Sequence, residues 1–274
     1  MSTKSKEYWQ FSYTEMGKYD APAQIEEALS RSGRSTLTYV GHSQGTTQMF
    51  YALQAQPAYW NTKINLFVAA APVTRLDHTT NPLIKFICQF TKPLEDAFNL
   101  FHVYRVLGDD VTSFGVHLVC GVLPQFCKIL ETLAITHNPS YDDTERFQVY
   151  MGHFPAAASA QSLIHYGQSC RDHSFTGFIW PTSKENVAHY GPTGHPPIVA
   201  LNKITTPTAM FVGKVDDLGN LTDARWARDT IKSGDHGSLV HYEEDDAGHA
   251  TFIVGKDMSY FDRAMTLIEK YNPK

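Results

Sequence analysis

Ser35-Thr36-Leu37-Thr38-Tyr39-Val40-Gly41-His42-Ser43-Gln44-Gly45 decides the reading of this chain. The β-branched run up to Val40 predicts a strand, and Thr46 to Gln56 predicts a helix. A strand, then Gly-x-Ser-x-Gly, then a helix is the sequence form of a nucleophile elbow. Such a turn is tight enough to strain the serine backbone. The flanking glycines are expected because larger side chains would collide with the neighbouring strand and helix. The serine hydroxyl is then held above the sheet, at a helix N-terminus. Gly-x-Ser-x-Gly alone is common by chance, and a Gly-rich turn with an incidental serine is the bland alternative. The flanking strand and helix weigh against it and make Ser43 the candidate nucleophile.

A serine hydroxyl is a weak nucleophile near neutral pH and needs a base held by an acid. In proteins with such an elbow the chain order is Ser, then Asp or Glu, then His. Pro207 to Gly213 reads as a buried strand, followed by Lys214-Val215-Asp216-Asp217. An acid at the carboxyl end of that strand is where an orienting carboxylate belongs. Asp216 is the first choice and Asp217 the second. Ser238 to Glu243 reads as another strand, and Asp257 to Tyr271 as a closing helix. His249 lies on the loop between them and is the candidate base. The chain has 13 histidines, so position and not residue type singles it out. His241 falls within a strand and His236 on a turn. Asp245 and Asp246 share the histidine's loop and are expected to face water. His42 is expected to pack or hydrogen-bond beside Ser43.

Composition sets outer limits. A chain of 274 residues, 42% hydrophobic, can bury a large α/β core with an insertion. A net charge of −5 argues against nucleic acid as the main partner. Four cysteines do not make a disulfide framework for this length, which leaves the redox compartment undecided. Met1 to Lys6 is polar, with no secretory signal, and Asn220-Leu221-Thr222 is a lone glycosylation sequon. Residues 1–72 and 204–274 carry the strand-helix alternation. Residues 73–203 interrupt it with apolar helix-like runs at Leu83–Phe90, Leu94–Phe101 and Phe114–Ile135. The last is greasy but too interrupted to span a bilayer. Gly191 to Pro197 reads as the irregular return to the sheet. The aromatic run Phe175, Phe178, Trp180 reads as packing.

Trp9-Gln10-Phe11-Ser12-Tyr13-Thr14-Glu15-Met16-Gly17-Lys18-Tyr19-Asp20, then Tyr39 to Thr47, closely resembles the acid lipases, a group that includes gastric and lysosomal acid lipase. Looser likeness runs through Ala69 to Val73, Gly152 to Ser159, Ser162 to Tyr166 and Gly248 to Ile253. The resemblance implies an α/β-hydrolase fold: a mostly parallel sheet formed by 1–72 and 204–274, with 73–203 as a helical cap or lid. It implies Ser43 as nucleophile, Asp216 as acid, His249 as base and the Gln44 amide as one oxyanion donor, with no metal or organic cofactor. It implies a lipid ester at a membrane or lipid-droplet surface as the partner, and a secreted or lysosomal location.

Two departures accompany it. The family carries a signal peptide and further residues ahead of the Trp-x-Phe-Ser segment. These hold early strands and a His-Gly-Leu type loop with the second oxyanion amide. The expectation is therefore an open edge beside the elbow strand and a weak or inactive enzyme. Cys120 matches one of the family's lid cysteines, Cys88 lies too far along the alignment to be its partner, and Cys127 is nearer the unpaired thiol. The activity expected is hydrolysis of triacylglycerols or sterol esters. A thioesterase or acyltransferase with the same triad, and a non-catalytic lipid-binding protein of this fold, are the alternatives.

Overall fold

The computed structural model describes residues 2–3, 5–106, 138, 140–151 and 156–272. The expected run Phe114–Ile135, with Cys120 and Cys127, and the stretch Gly152 to Pro155 lie outside the described residues. In chain order the main elements are helix α1 (Ala21–Ser32), strand β1 (Leu37–His42), helix α2 (Gln44–Ala55) and strand β2 (Ile64–Ala70). Helices α3 (Pro82–Gln89), α4 (Thr91–Leu100), α5 (Thr144–Met151), α6 (Ala160–Arg171) and α7 (Ser183–Tyr190) follow. Strand β3 (Thr208–Gly213), helix α8 (Leu221–Ser233), strand β4 (Leu239–Asp245) and helix α9 (Ser259–Tyr271) complete the chain.

The described residues fall into two units. The sheet unit takes those of 13–74, 137–143 and 199–274. Its four strands are all parallel, in the order β1-β2-β3-β4. The central strands, Ile64-Asn65-Leu66-Phe67-Val68-Ala69-Ala70 and Thr208-Ala209-Met210-Phe211-Val212-Gly213, are almost wholly buried, as parallel strands covered on both faces must be. Leu66, Val68, Phe211 and Phe252 form a core against which Leu267, Ile268 and Tyr271 of α9 pack. On α1, Ala21, Ile25 and Leu29 recur at a four-residue spacing and are buried. That helix stops at Gly33, whose φ of 67° is the left-handed conformation glycine adopts without strain. Among the described residues β1 pairs only with β2, and Val40 on it is 59% exposed.

The helical unit takes the described residues of 1–12, 75–136 and 144–198. Asn81 caps α3, its side-chain oxygen accepting from the amides of Leu83 and Ile84, with Pro82 at the first helical position. Ser159 caps α6 through the Gln161 amide, and Thr182 and Glu185 form a capping box on α7. A Cβ on Gly167 would lie 2.6 Å from Thr91 Oγ1 and 2.9 Å from Ile87 Cγ2, so α6 packs closely on α3 and the start of α4. A disulfide, Cys88–Cys170, ties α3 to α6 with their Cα atoms 5.8 Å apart.

The units meet at 74/75 and 198/199 rather than at 72/73 and 203/204, and two further segments change sides. Residues 1–12 group with the helical unit because the Trp9 and Phe11 carbonyls accept from the Ser159 and Ser162 hydroxyls. Residues 137–143 group with the sheet unit because Asp142 bridges Gly255. Neither contact has a periodicity that a sequence displays.

Candidate active site

The elbow is built by backbone and threonine hydrogen bonds. Ser43 has φ 55° and ψ −123°, a conformation that costs a non-glycine residue about 1–3 kcal/mol. The Ser43 amide donates to the Ala70 carbonyl at 3.2 Å, which fixes it to the end of β2. Its carbonyl accepts from the Thr46 amide and hydroxyl at 2.8 and 2.6 Å. Thr46 Oγ1 in turn accepts from the Val73 amide, and the Thr47 hydroxyl donates to the Val73 carbonyl. The two elbow glycines are not equivalent. A Cβ on Gly41 would meet the Gly45 carbonyl oxygen at 2.8 Å, whereas one on Gly45 would meet only the Tyr39 hydroxyl at 3.7 Å. The collision expected at both positions exists at Gly41 alone.

His249 Nε2 lies 2.7 Å from Ser43 Oγ, and His249 Nδ1 lies 2.8 Å from Asp216 Oδ2. The other carboxylate oxygen of Asp216 accepts from the amides of Leu218 and Gly219, both at 2.8 Å. All three side chains sit at or just beyond the carboxyl ends of parallel strands, where an open α/β sheet gathers its ligands. It is Asp216 that faces the imidazole; Asp217 contributes only the longer-range pull of its charge. Gln44 is the first residue of α2, where backbone N–H groups have no partner within the helix.

Burial works against a charge on His249, but the Asp216 carboxylate and its hydrogen bond outweigh it and lift the imidazole above the ordinary histidine value. Burial would raise the Asp216 carboxyl. The imidazole and the two amides overcome that and hold it below the usual carboxylate range. His42 Nε2 donates to the His249 main-chain carbonyl at 2.9 Å, and the ring centroids are 5.0 Å apart. Burial and the neighbouring His249 push the His42 imidazole down to about 4. His42 is therefore neutral and braces the histidine loop.

A second brace was not legible in the sequence. Asp142 is fully buried and accepts from the Thr251 hydroxyl at 2.6 Å, and Thr251 Oγ1 accepts from the Gly248 amide at 2.9 Å. This pair anchors the residue before His249 from a point more than a hundred positions upstream, and no local pattern marks Asp142. Asp245 also differs from expectation. It ends β4 and accepts from Arg263 at 2.6 Å, and burial and the nearby Glu243 push its carboxyl up to about 6. Asp246 is exposed and pairs with Lys214. His241 lies within β4, 3.0 Å from Glu243.

No family model matches the chain. Among curated proteins, human lipase K is 30% identical over 99% of this chain and 67% of its own length. Rat lysosomal acid lipase/cholesteryl ester hydrolase is 30% identical over 99% and 67%. Rat gastric triacylglycerol lipase is 36% identical over 93% and 63%. The chain thus spans roughly two thirds of the length of these relatives, 63–67%. Of solved structures, the monoacylglycerol lipase of Paleococcus ferrophilus superposes with a TM-score of 0.54 at 15% identity, covering 96% of this chain and 77% of that one. A hydrolase from Oleispira antarctica gives 0.50 at 13% identity, over 97% and 75%. These likenesses establish the α/β-hydrolase fold. The identity to lipase K and lysosomal acid lipase, sustained across nearly all its residues, makes this chain a member of the acid lipase family.

Proposed function

We propose that the chain is a serine carboxylic ester hydrolase acting on lipid esters, triacylglycerols or sterol esters. The observation that carries the reading is the line Ser43 Oγ, His249, Asp216, with spacings of 2.7 and 2.8 Å, on a positive-φ elbow. Neutral His249 takes the proton of Ser43 as the hydroxyl attacks the ester carbonyl. Asp216 holds the imidazole in the tautomer with its proton on Nδ1 and stabilises the imidazolium that forms. The oxyanion is held by the Gln44 amide at the start of α2, aided by the helix dipole, and by a second donor. His249 then protonates the departing alcohol, and water repeats the cycle on the acyl-enzyme.

The lipid half of the proposal rests on the relatives, which are named for triacylglycerol and cholesteryl ester hydrolysis. Residues 73–203 are proposed as the cap, on their apolar helical make-up. A secreted or lysosomal setting is supported by the Cys88–Cys170 disulfide, a bond that persists in oxidising compartments. No helix among the described residues is long and apolar enough to cross a membrane.

A fluorophosphonate probe should label the protein, and Ser43→Ala should abolish the labelling. The protein should cleave p-nitrophenyl butyrate and emulsified triolein, and prefer the oxoester to the matching thioester. Labelling that persists in Ser43→Ala would remove the triad assignment. A labelled protein that cleaves only thioesters would move the reading to the thioesterases.

A further inference from the structure

The described residues of 137–143 form a strap in the sheet unit, although in sequence they fall within 73–203, the stretch expected to be a cap. The strap lies along the segment that carries His249. The Lys256 amide donates to the Tyr141 carbonyl at 2.8 Å and the Asp143 amide to the Val254 carbonyl at 2.7 Å, on either side of the bridge between Asp142 and Gly255. At the other end, a Cβ on Gly248 would lie 3.8 Å from Asn138 Cβ, an ordinary contact distance. One strap thus meets the histidine segment both before and after His249. The His249 main-chain carbonyl is held separately by His42.

The hydrogen bonds that end on Asp142 have a direction. Its Oδ2 accepts from the Asn138 amide at 2.6 Å and its Oδ1 from the Thr251 hydroxyl at 2.6 Å. A carboxylate only accepts, so the Thr251 hydroxyl must aim its one proton at Asp142. The lone pairs of Thr251 Oγ1 are then left for the Gly248 amide, which donates at 2.9 Å. An amide side chain at 142 would reverse this. The Asn138 N–H would take its only oxygen, and its NH₂ would face Thr251 and turn the hydroxyl proton away. Proton transfer is steeply sensitive to geometry: a misplacement of about 1 Å costs on the order of 10²-fold in rate. We propose that Asp142 is a positioning residue for ester hydrolysis, setting the place of the His249 imidazole through Thr251 and the Gly248 amide. The expected cap stretch then supplies part of the proton-transfer geometry as well as any cover for the site. The inference rests on the reading of Ser43, His249 and Asp216 as a working triad.

The test uses the whole chain. Thr251→Val keeps the side-chain shape and removes the hydroxyl. It should lower kcat on p-nitrophenyl butyrate about 10- to 100-fold and leave KM within about twofold, since substrate binding does not involve the relay. Thr251→Ser, which keeps the hydroxyl, should recover most of the rate. Asp142→Asn should match Thr251→Val, and the double variant should be no slower than the slower single, because both changes break one chain of bonds. The His249 Nδ1 proton, directed at Asp216, gives a far-downfield NMR resonance that needs no turnover. It should move in Thr251→Val and return in Thr251→Ser. In an active protein, three results would overturn the proposal: a folded Thr251→Val with kcat within about twofold of the wild type, a loss that Thr251→Ser does not recover, or losses that multiply in the double variant. A wild type that cleaves no ester and takes no fluorophosphonate refutes the hydrolytic reading instead. The resonance then decides alone, and an unmoved signal in Thr251→Val overturns the positioning role. Should Asp142→Asn not fold, Thr251→Val and Thr251→Ser decide between them.

Discussion

Ser43 holds its unusual backbone only because its amide, its carbonyl and the Thr46 and Thr47 hydroxyls are all tied down around it. Two consequences can be measured at single residues. Asp216→Asn should keep the fold, because the amides of Leu218 and Gly219 still find an oxygen, yet lower turnover about 10⁴-fold by placing the wrong tautomer on His249. Steady-state rates on a soluble ester give the factor, and a loss below tenfold would show that Asp216 does not orient the base. Gly41→Ala should cost about 1–3 kcal/mol, because the clash at 2.8 Å is with backbone that cannot turn aside. Gly45→Ala should be neutral or gain up to about 1 kcal/mol, because its Cβ has room and alanine favours the helix. Urea midpoints of the two variants should therefore move in different directions or by clearly different amounts. Equal losses would mean that the elbow tolerates neither change for a reason other than packing.

At the scale of elements, the helical unit is held by close helix contact and one covalent tie. Gly167 lets α6 approach Ile87 and Thr91, and Cys88–Cys170 closes a loop with a sequence separation of 82 between α3 and α6. Chain-entropy arithmetic gives a loop of that length up to about 4.5 kcal/mol of stabilisation, acting on the unfolded chain. Replacing both cysteines by serine should lower the melting of this unit by several degrees. The sheet unit, which contains neither residue, should keep its own unfolding midpoint under the same reduction. Hydrogen exchange read separately on α6 and on β2 distinguishes them. Unchanged protection of α6 in the double variant would show that the bond contributes nothing to stability.

The whole molecule should lose stability in acid. His165 in α6 is fully buried between the Ser12 hydroxyl and the Thr176 carbonyl, and burial takes it down to about 3. His42 titrates at about 4. In the unfolded chain both bind protons near 6.5. Above that pH both are neutral folded or unfolded, and their contribution is fully present. Below it the unfolded chain takes up protons that the fold refuses, so stability falls by about 1.4 kcal/mol per pH unit for each histidine. The loss ends at the folded values of about 3 and about 4. His249 acts in the opposite sense but only above 6.5, Asp245 with its carboxyl lifted to about 6 offsets one histidine between about 6 and 3.8, and Asp216 adds its loss only below 3.8. Denaturant midpoints from pH 7.5 to 4.5 should show this slope, and His165→Gln should flatten it. A flat wild-type profile would contradict the burial of both rings.

The sequence by itself determined the parts whose signals are local. A strand, a glycine-framed serine and a helix fall within about twenty residues, so the elbow can be read directly. His249 and an acid at Asp216 or Asp217 follow from chain order because each lies just past a stretch that reads as a strand. The ends of α2 and β3 come within two residues of their expected places, since capping and burial patterns are short-range. Tertiary structure alone decided what depends on distant segments meeting. It turned Asp216 and not Asp217 toward the His249 imidazole, because the direction of a side chain off a loop is set by what packs beneath it. It brought Asp142 to Thr251 and joined Cys88 to Cys170, contacts across 109 and 82 positions that no periodicity encodes.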